Sequence, residues 1–368
     1  MDTLTSRPSE VKPIVLRAMQ AHRPIFIWGP PGIGKSELVE DITYNELPGN
    51  NLMIDMRLAL MEPTDLRGYP FRNPDTNQME WAPAADLPTE EMAEAYDNIV
   101  LFLDELNSAP PSVQAAAYQL VLNGKIGQYV LPKNVKIVAA GNRETDRGVT
   151  FRMPAPLANR FRHINMDVNF EDWQQWAVNN DVHPDVVGYL SFAKQDLFQF
   201  DAKTSSQSFP TPRSWVFTSD MLNVDGFEQA SPREQKAEVA GAIGEGMAIK
   251  FLEHRKIASK LPNPQDVIDG KVDTLDSKVA KEISAKYSLT VSLAYELNDI
   301  YQKDGVDGAF KPAINNVVKF AFDNFEPEMV VFFLRTIMKD YKIMFNLRTT
   351  LDKTLQKTFQ ERYVKYIT

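Results

Sequence analysis

The chain has 368 residues, 43% of them hydrophobic and 24% charged, enough for two or three domains and ordinary for a globular protein. Its net charge of −9 speaks against a general nucleic-acid binder, and no apolar run approaches about twenty residues, so no membrane span is expected. It has no cysteine and 4 histidines, which excludes disulfides and thiolate metal sites, argues against a His-based metal site, and fits a reducing cytosol, so a cytoplasmic protein.

The first residues, 1–8, are expected to fray, and they lack the apolar core of a signal peptide. Ser9 can cap a helix over 9–22, with Val11, Ile14, Val15, Ala18 and Met19 on one face. The apolar run 25–28 predicts a buried strand. It breaks into Gly29-Pro30-Pro31-Gly32-Ile33-Gly34-Lys35-Ser36, and a helical pattern follows to about Leu47. This is a phosphate-loop pattern in its strand–loop–helix setting. Glycines let backbone N–H groups turn inward around phosphate oxygens, and the helix N-terminus adds a favourable dipole. Lys35 would reach the β- and γ-phosphates of a nucleoside triphosphate, and the Ser36 hydroxyl would ligate Mg²⁺.

Residues 51–56 predict a second strand. Residues 57–98 are a long insertion: a turn-rich stretch 61–68, a hairpin 69–81 around 73–77, two prolines and an acidic helix 89–97. An insertion this long inside an α/β core is more often functional than filler. The continuous apolar run from Asn98 marks a central strand buried on both faces. Asp104 and Glu105 end it, where an open α/β sheet binds its ligand. There Asp104 would hold Mg²⁺ and Glu105 would polarise an attacking water; a lone Asp-Glu would otherwise be a solvated pair. A helix 111–122 and a small hairpin to 131 follow, then a strand 134–140. Asn142 beyond it can orient the water or simply cap a turn. A short helix 154–161 leads into a fifth strand, 163–168. Arg160 and Arg162 flank Phe161 there, each a surface ion-pair partner or a guanidinium for a transferring phosphoryl group supplied in trans.

Beyond 168 the pattern is helical: 170–180, 184–195, 212–223, 232–258, 277–303, 312–323, 326–342 and 346–366, with a linker over 261–278. Arg213 opens the helix at 212 and opposes its dipole. It would face a nucleotide phosphate, lie over Trp215 or pair with an acid. Trp173 and Trp176 and the run 320–344 read as core, as does the apolar stripe Leu347, Leu351, Leu355, Phe359, Tyr363 and Ile367. The four histidines receive no chemistry. Residues 335–368 carry eight Lys/Arg against three Asp/Glu, a basic tail that packs on a neighbour or docks an acidic partner.

Together GPPGIGKS, IVLFLDELNSAPPSVQAAAYQLVLNGKI, IVAAGN, MPAPLANRFR and FPTPRSW resemble the MoxR-type AAA+ ATPases, in order and spacing, over about residues 5–260. The resemblance implies a P-loop NTPase core with a parallel five-stranded sheet, residues 1–168, with the insert hairpin at about 61–88. A helical lid, 169–260, and a helical C-terminal extension, 261–368, would follow. It makes Lys35 and Ser36 Walker A, Asp104 and Glu105 Walker B, Asn142 sensor 1, Arg160 the arginine finger and Arg213 sensor 2. Asn159 stands where the family has Asp before the finger, and Arg162 is a second candidate. The family implies a hexameric ATP-hydrolysing ring that remodels a protein client, often with a von Willebrand factor A-domain partner. Two other classes stay open: a nucleic-acid translocase or loader, with Arg72 and Trp81 of the hairpin touching a strand, and a scaffold that uses nucleotide only to assemble.

Overall fold

The computed structural model describes residues 4–143, 146, 151–200, 207–275, 282–306, 308–343 and 350–363. The chain divides into two compact units, residues 1–169 and 170–368.

The first unit is an α/β layer structure. In chain order it runs β1 (Thr5–Ser6), α1 (Pro8–Gln20), β2 (Ile25–Trp28), α2 (Lys35–Asp41), β3 (Asn51–Arg57), α3 (Pro63–Arg67), β4 (Tyr69–Arg72), β5 (Met79–Ala82), α4 (Glu90–Ala95) and β6 (Asn98–Asp104). It continues with α5 (Pro111–Asn123), β7 (Lys125–Ile126), β8 (Tyr129–Val130), β9 (Val135–Gly141), α6 (Ala155–Ala158) and β10 (Arg162–Met166). The main sheet has the order β1-β10-β2-β9-β6-β3, and every pairing in it is parallel. The central strand β6 is buried on both faces from Ile99 to Leu103, which is why it reads as one apolar run. One face of the sheet packs Phe26, Leu101, Leu103 and Ala139 against Leu66, Val113, Ala117 and Leu120 of α3 and α5. The other is covered by α1 and α2, which contact β2, β9 and β10.

The sheet has six strands rather than the expected five. The sixth is β1, whose Thr5 and Ser6 pair with Asn165 and Met166. Residues 5 and 6 are therefore ordered against β10, not frayed. Helix α1 begins at Pro8, a residue suited to a first helical turn, and not after a Ser9 cap; Glu10 accepts the Arg7 backbone N–H at 3.2 Å. In the insertion, Gly68 has φ +81°, and a Cβ there would lie 1.8 Å from the Ala82 oxygen, so only glycine lets β4 and β5 close into a hairpin.

The second unit is helical: α7 (Phe170–Asn179), α8 (Pro184–Phe192), α9 (Pro212–Leu222), α10 (Pro232–Ile243), α11 (Glu245–Ala258), α12 (Pro264–Ile268), α13 (Ile283–Asp304), α14 (Phe310–Asn324), α15 (Pro327–Arg335) and α16 (Lys353–Arg362). Its axis is α13, which packs against α8, α11, α12, α14 and α15. The α8–α13 crossing is close because Gly188 lies there; a Cβ would meet the Ser288 Cα at 2.6 Å. Lys286, 2% exposed on α13, is held by both carboxylate oxygens of Glu326 at 2.7 and 2.9 Å.

Four sequence expectations change in this unit. The single helix over 232–258 is two, because Gly244 takes φ +85° and approaches the Ser208 carbonyl. The stretch expected to be a linker contains α12, capped by Asn263, with Val267 and Ile268 buried against α13 and α14; its Pro and Asp open a helix rather than a tether. Trp173 is core, but Trp176 is 38% exposed. The last helix is shorter than 346–366. Phe359 and Tyr363 are buried, and Tyr363 stacks on Phe322 at 4.8 Å, whereas Leu347 and Ile367 of the expected stripe lie outside the described residues, as does Met344.

Candidate nucleotide site

Three parallel strands deliver the candidate residues to one edge. The glycine-rich loop leaves the carboxyl end of β2, Asp104 ends β6, and Asn142 follows β9. Gly32 and Gly34 have φ of +73° and +88°, which turns the loop back before α2 starts at Lys35. Gly29 is fixed by close approach: a Cβ would fall 2.6 Å from Ile33 Cδ1 and 2.7 Å from the Met166 oxygen. Pro30, Pro31 and Ile33 complete the turn.

The Lys35 ammonium curls over the loop. It donates to the Gly29 and Pro30 carbonyls at 2.7 and 2.9 Å and to Asn142 Oδ1 at 3.2 Å. Ser36 donates to Asp104 Oδ2 at 3.3 Å. Adjacent ligands of an octahedral Mg²⁺, with bonds of about 2.1 Å, sit roughly 3.0 Å apart, so this oxygen pair fits one magnesium ion. Among the described residues no cluster of three or more His, Asp or Glu could hold a metal by itself. Negative charge is concentrated on this edge. Burial and the Asp104 carboxylate, followed by Glu40, push Asp55 on β3 upward from the usual carboxylate range, against the pull of Arg57.

Glu105 takes φ +55°, unusual for a residue with a side chain. Its N–H donates to Asp104 Oδ1 at 2.9 Å, and its carbonyl accepts from Ser108 and Ala109. The side chain is thereby exposed beside Asp104 rather than continuing the strand.

Asn107, which sequence reasoning passed over, holds Asn142 in place. Its Nδ2 donates to the Asn142 carbonyl at 2.7 Å, and it is 2% exposed. The approach needs Gly141, where a Cβ would lie 2.0 Å from Asn107 Oδ1 and 2.9 Å from the Phe26 ring. Gly141→Ala should therefore destabilise the protein by about 1–3 kcal/mol, read as a lower thermal midpoint, and should displace Asn142 from Lys35. Arg143 adds a second anchor, donating to the Met166 carbonyl at 2.6 Å.

Arg160 and Arg162 lie elsewhere. Both are exposed, Arg160 in the turn after α6 and Arg162 at the start of β10. Arg162 pairs in register with Ile25, the first residue of β2, whereas the loop departs after Trp28. The two arginines thus sit toward the amino end of the strands, about 10 Å along β2 from the loop. Arg213 belongs to the second unit, exposed in the first turn of α9. Among the described residues it makes no ion pair and no ring contact; Trp215 is fully buried, with its indole N–H on the Asp196 carbonyl. The second unit also holds a cleft of about 630 Å³ beside α10, α11 and α13. Its cations are internally paired, Arg255 to Asp185 and Glu228 and Lys256 to Glu253, and it has no glycine-rich loop.

Comparison with known proteins finds likeness over part of the chain. Residues 24–161 match the family described as AAA domain (dynein-related subfamily). The matched segment contains the loop, Asp104, Glu105, Asn142 and Arg160 and stops short of Arg162 and Arg213. Midasin of Giardia intestinalis is 27% identical over 194 residues, which is 50% of this chain and 4% of that protein. The chain thus spans a small fraction of that relative's length. Similar solved structures include the Thermotoga maritima RuvB Holliday junction branch migration motor (16% identity, 69% of this chain and 74% of that one, TM-score 0.34). NtrX of Brucella abortus is another (13%, 91% and 69%, TM-score 0.34). The fold is an α/β P-loop AAA fold with a parallel six-stranded sheet, followed by a helical region. No helix among the described residues is long and apolar enough to cross a membrane.

Proposed function

We propose that the protein is a MoxR-like AAA+ ATPase that hydrolyses ATP and works as a ring-shaped remodelling motor on a protein client. The observation that carries this reading is the convergence of Lys35, Ser36, Asp104 and Asn142 within hydrogen-bond reach of one another at the carboxyl edge of the sheet, with Glu105 alongside. In this reading Lys35 and the loop N–H groups hold the β- and γ-phosphates, and Ser36 and Asp104 ligate Mg²⁺. Glu105 draws the proton from the attacking water, and Asn142 orients that water. Bound Mg²⁺ supplies charge neutralisation across the phosphates. Arg160, or Arg162 in its stead, serves the nucleotide of a neighbouring subunit, which accords with both lying toward the opposite end of the strands from their own loop. Arg213 serves as sensor 2 from the helical unit. The ring is a homo-hexamer, with a von Willebrand factor A-domain protein as its partner.

The hairpin favours a protein client over a nucleic acid. Tyr69 and Met79 are each 62% exposed and Phe71 43%, an apolar contact surface. The groups that would touch a strand are engaged: the Arg72 guanidinium donates to Asn77, and Arg67 lies 4.8 Å over the Trp81 ring. Sedimentation with and without ATP, alongside phosphate release, tests the reading. The wild type should assemble and turn over, and Lys35→Ala should lose both. Salt-sensitive stimulation of phosphate release by DNA would favour a translocase. Assembly without phosphate release would leave a scaffold.

A further inference from the structure

His163 sits in a four-ring cluster between the phosphate loop and the turn that carries Arg160. On β10 it lies opposite Phe26, and its ring stacks on Trp28 at 5.9 Å. Phe26 stacks on Trp28 at 4.1 Å and meets the Phe161 ring edge-on at 5.5 Å. Two hydrogen bonds run through the imidazole. The Trp28 indole N–H donates to Nδ1 at 2.9 Å, and Nε2 meets the Ala158 carbonyl at 2.8 Å. An indole N–H only donates and a carbonyl only accepts, so these partners match a ring whose Nδ1 accepts and whose Nε2 donates.

Both ends of this relay matter. Trp28 is the last residue of β2, directly before Gly29. The Ala158 carbonyl ends α6 and also accepts the Phe161 N–H at 3.1 Å, closing the turn in which Arg160 is exposed. A displacement of the strand end at Trp28 therefore passes through one rigid ring to the backbone that presents Arg160.

We infer that His163 is a positioning residue that couples the phosphate loop of one subunit to the guanidinium serving the next. This rests on the reading of Arg160 as a finger in trans. Its chemistry is specific: a phenyl ring fills the same space but can neither accept from Trp28 nor donate to Ala158. The role differs from shaping the loop itself, because neither hydrogen bond of His163 goes to a loop residue.

The test is a double-variant cycle on the assembled protein with Mg·ATP, reading kcat, KM and the affinity for a non-hydrolysable ATP analogue. His163→Phe should lower kcat roughly tenfold, as expected when a reacting group is displaced by a fraction of an ångström to about 1 Å, and leave analogue affinity within about twofold. Added to Arg160→Ala, it should cost nothing further. Trp28→Phe, which removes the indole donor and keeps a smaller ring on Phe26, should show the same split and serves as the second variant if His163→Phe melts early. An equal further loss in the Arg160→Ala background would overturn the inference, as would analogue affinity falling in step with kcat. Arg160→Ala alone separates the two ideas. If it lowers kcat while His163→Phe and Trp28→Phe do not, the finger stands and the coupling is wrong; if Arg160→Ala keeps full kcat, the finger fails and the coupling with it.

Discussion

Glu105→Gln should bind ATP with near wild-type affinity and hydrolyse it at least about a hundredfold more slowly, since a positioned general base contributes about 10²–10⁴. The expectation follows from how the residue is held. Its place is set by backbone bonds: the N–H to Asp104 and the carbonyl to Ser108 and Ala109. Glutamine keeps all of these and has the same size, so the turn at φ +55° survives and only the base is lost. Lys35, Ser36 and Asp104 are untouched, so affinity for the nucleotide is the internal control. Undiminished phosphate release from Glu105→Gln would remove the hydrolytic mechanism and leave the loop as a binding site alone.

The second large effect is expected at Arg160. A finger supplied in trans is worth about 10³–10⁵ in rate, so Arg160→Ala rings should be nearly inactive while still binding nucleotide. The informative measurement is a mixture of Arg160→Ala with Glu105→Gln, each nearly inactive alone. If each arginine serves a neighbour, mixed rings hold sites with Glu105 from one subunit and Arg160 from the next, so the mixture should regain activity. No activity beyond the sum of the two variants would place the guanidinium in its own subunit's site or in none. Arg162→Ala, mixed in the same way, decides between the first candidate and the second: the one that serves as finger should show the complementation, and the other should behave as a surface arginine.

What could be read from the sequence was whatever a local pattern dictates. The loop was legible because its glycines answer to backbone geometry within eight residues, and Gly32 and Gly34 do adopt positive φ. Strands β2 and β6 were legible because burial on both faces forces unbroken apolar runs, and β9 because its run is interrupted only by Lys136. The rest depends on partners far along the chain. Asn107 acquires its place from Asn142, 35 residues on, and His163 from Trp28, 135 residues back; neither has a local signature. Strand β1 is two polar residues, too short to show a period, and is placed by its pairing with β10. The break at Gly244 and the helix α12 were misread for a related reason. One glycine and two prolines are ambiguous until the surrounding packing decides whether they end a helix, begin one or form a tether.

The short strand β1 has a practical consequence for anyone who measures assembly. It is the outer neighbour of β10, and β10 leads out of the turn that holds Arg160. A chain trimmed to begin at Pro8 would strip this cover and present the N–H and C=O groups of Asn165 and Met166 to solvent as an open edge. Such an edge recruits other strands without regard to nucleotide. Trimmed protein should thus form adventitious dimers and fibrillar precipitate that mimic a subunit count in light scattering, and its stoichiometry would be set by edge pairing rather than by the ATP site.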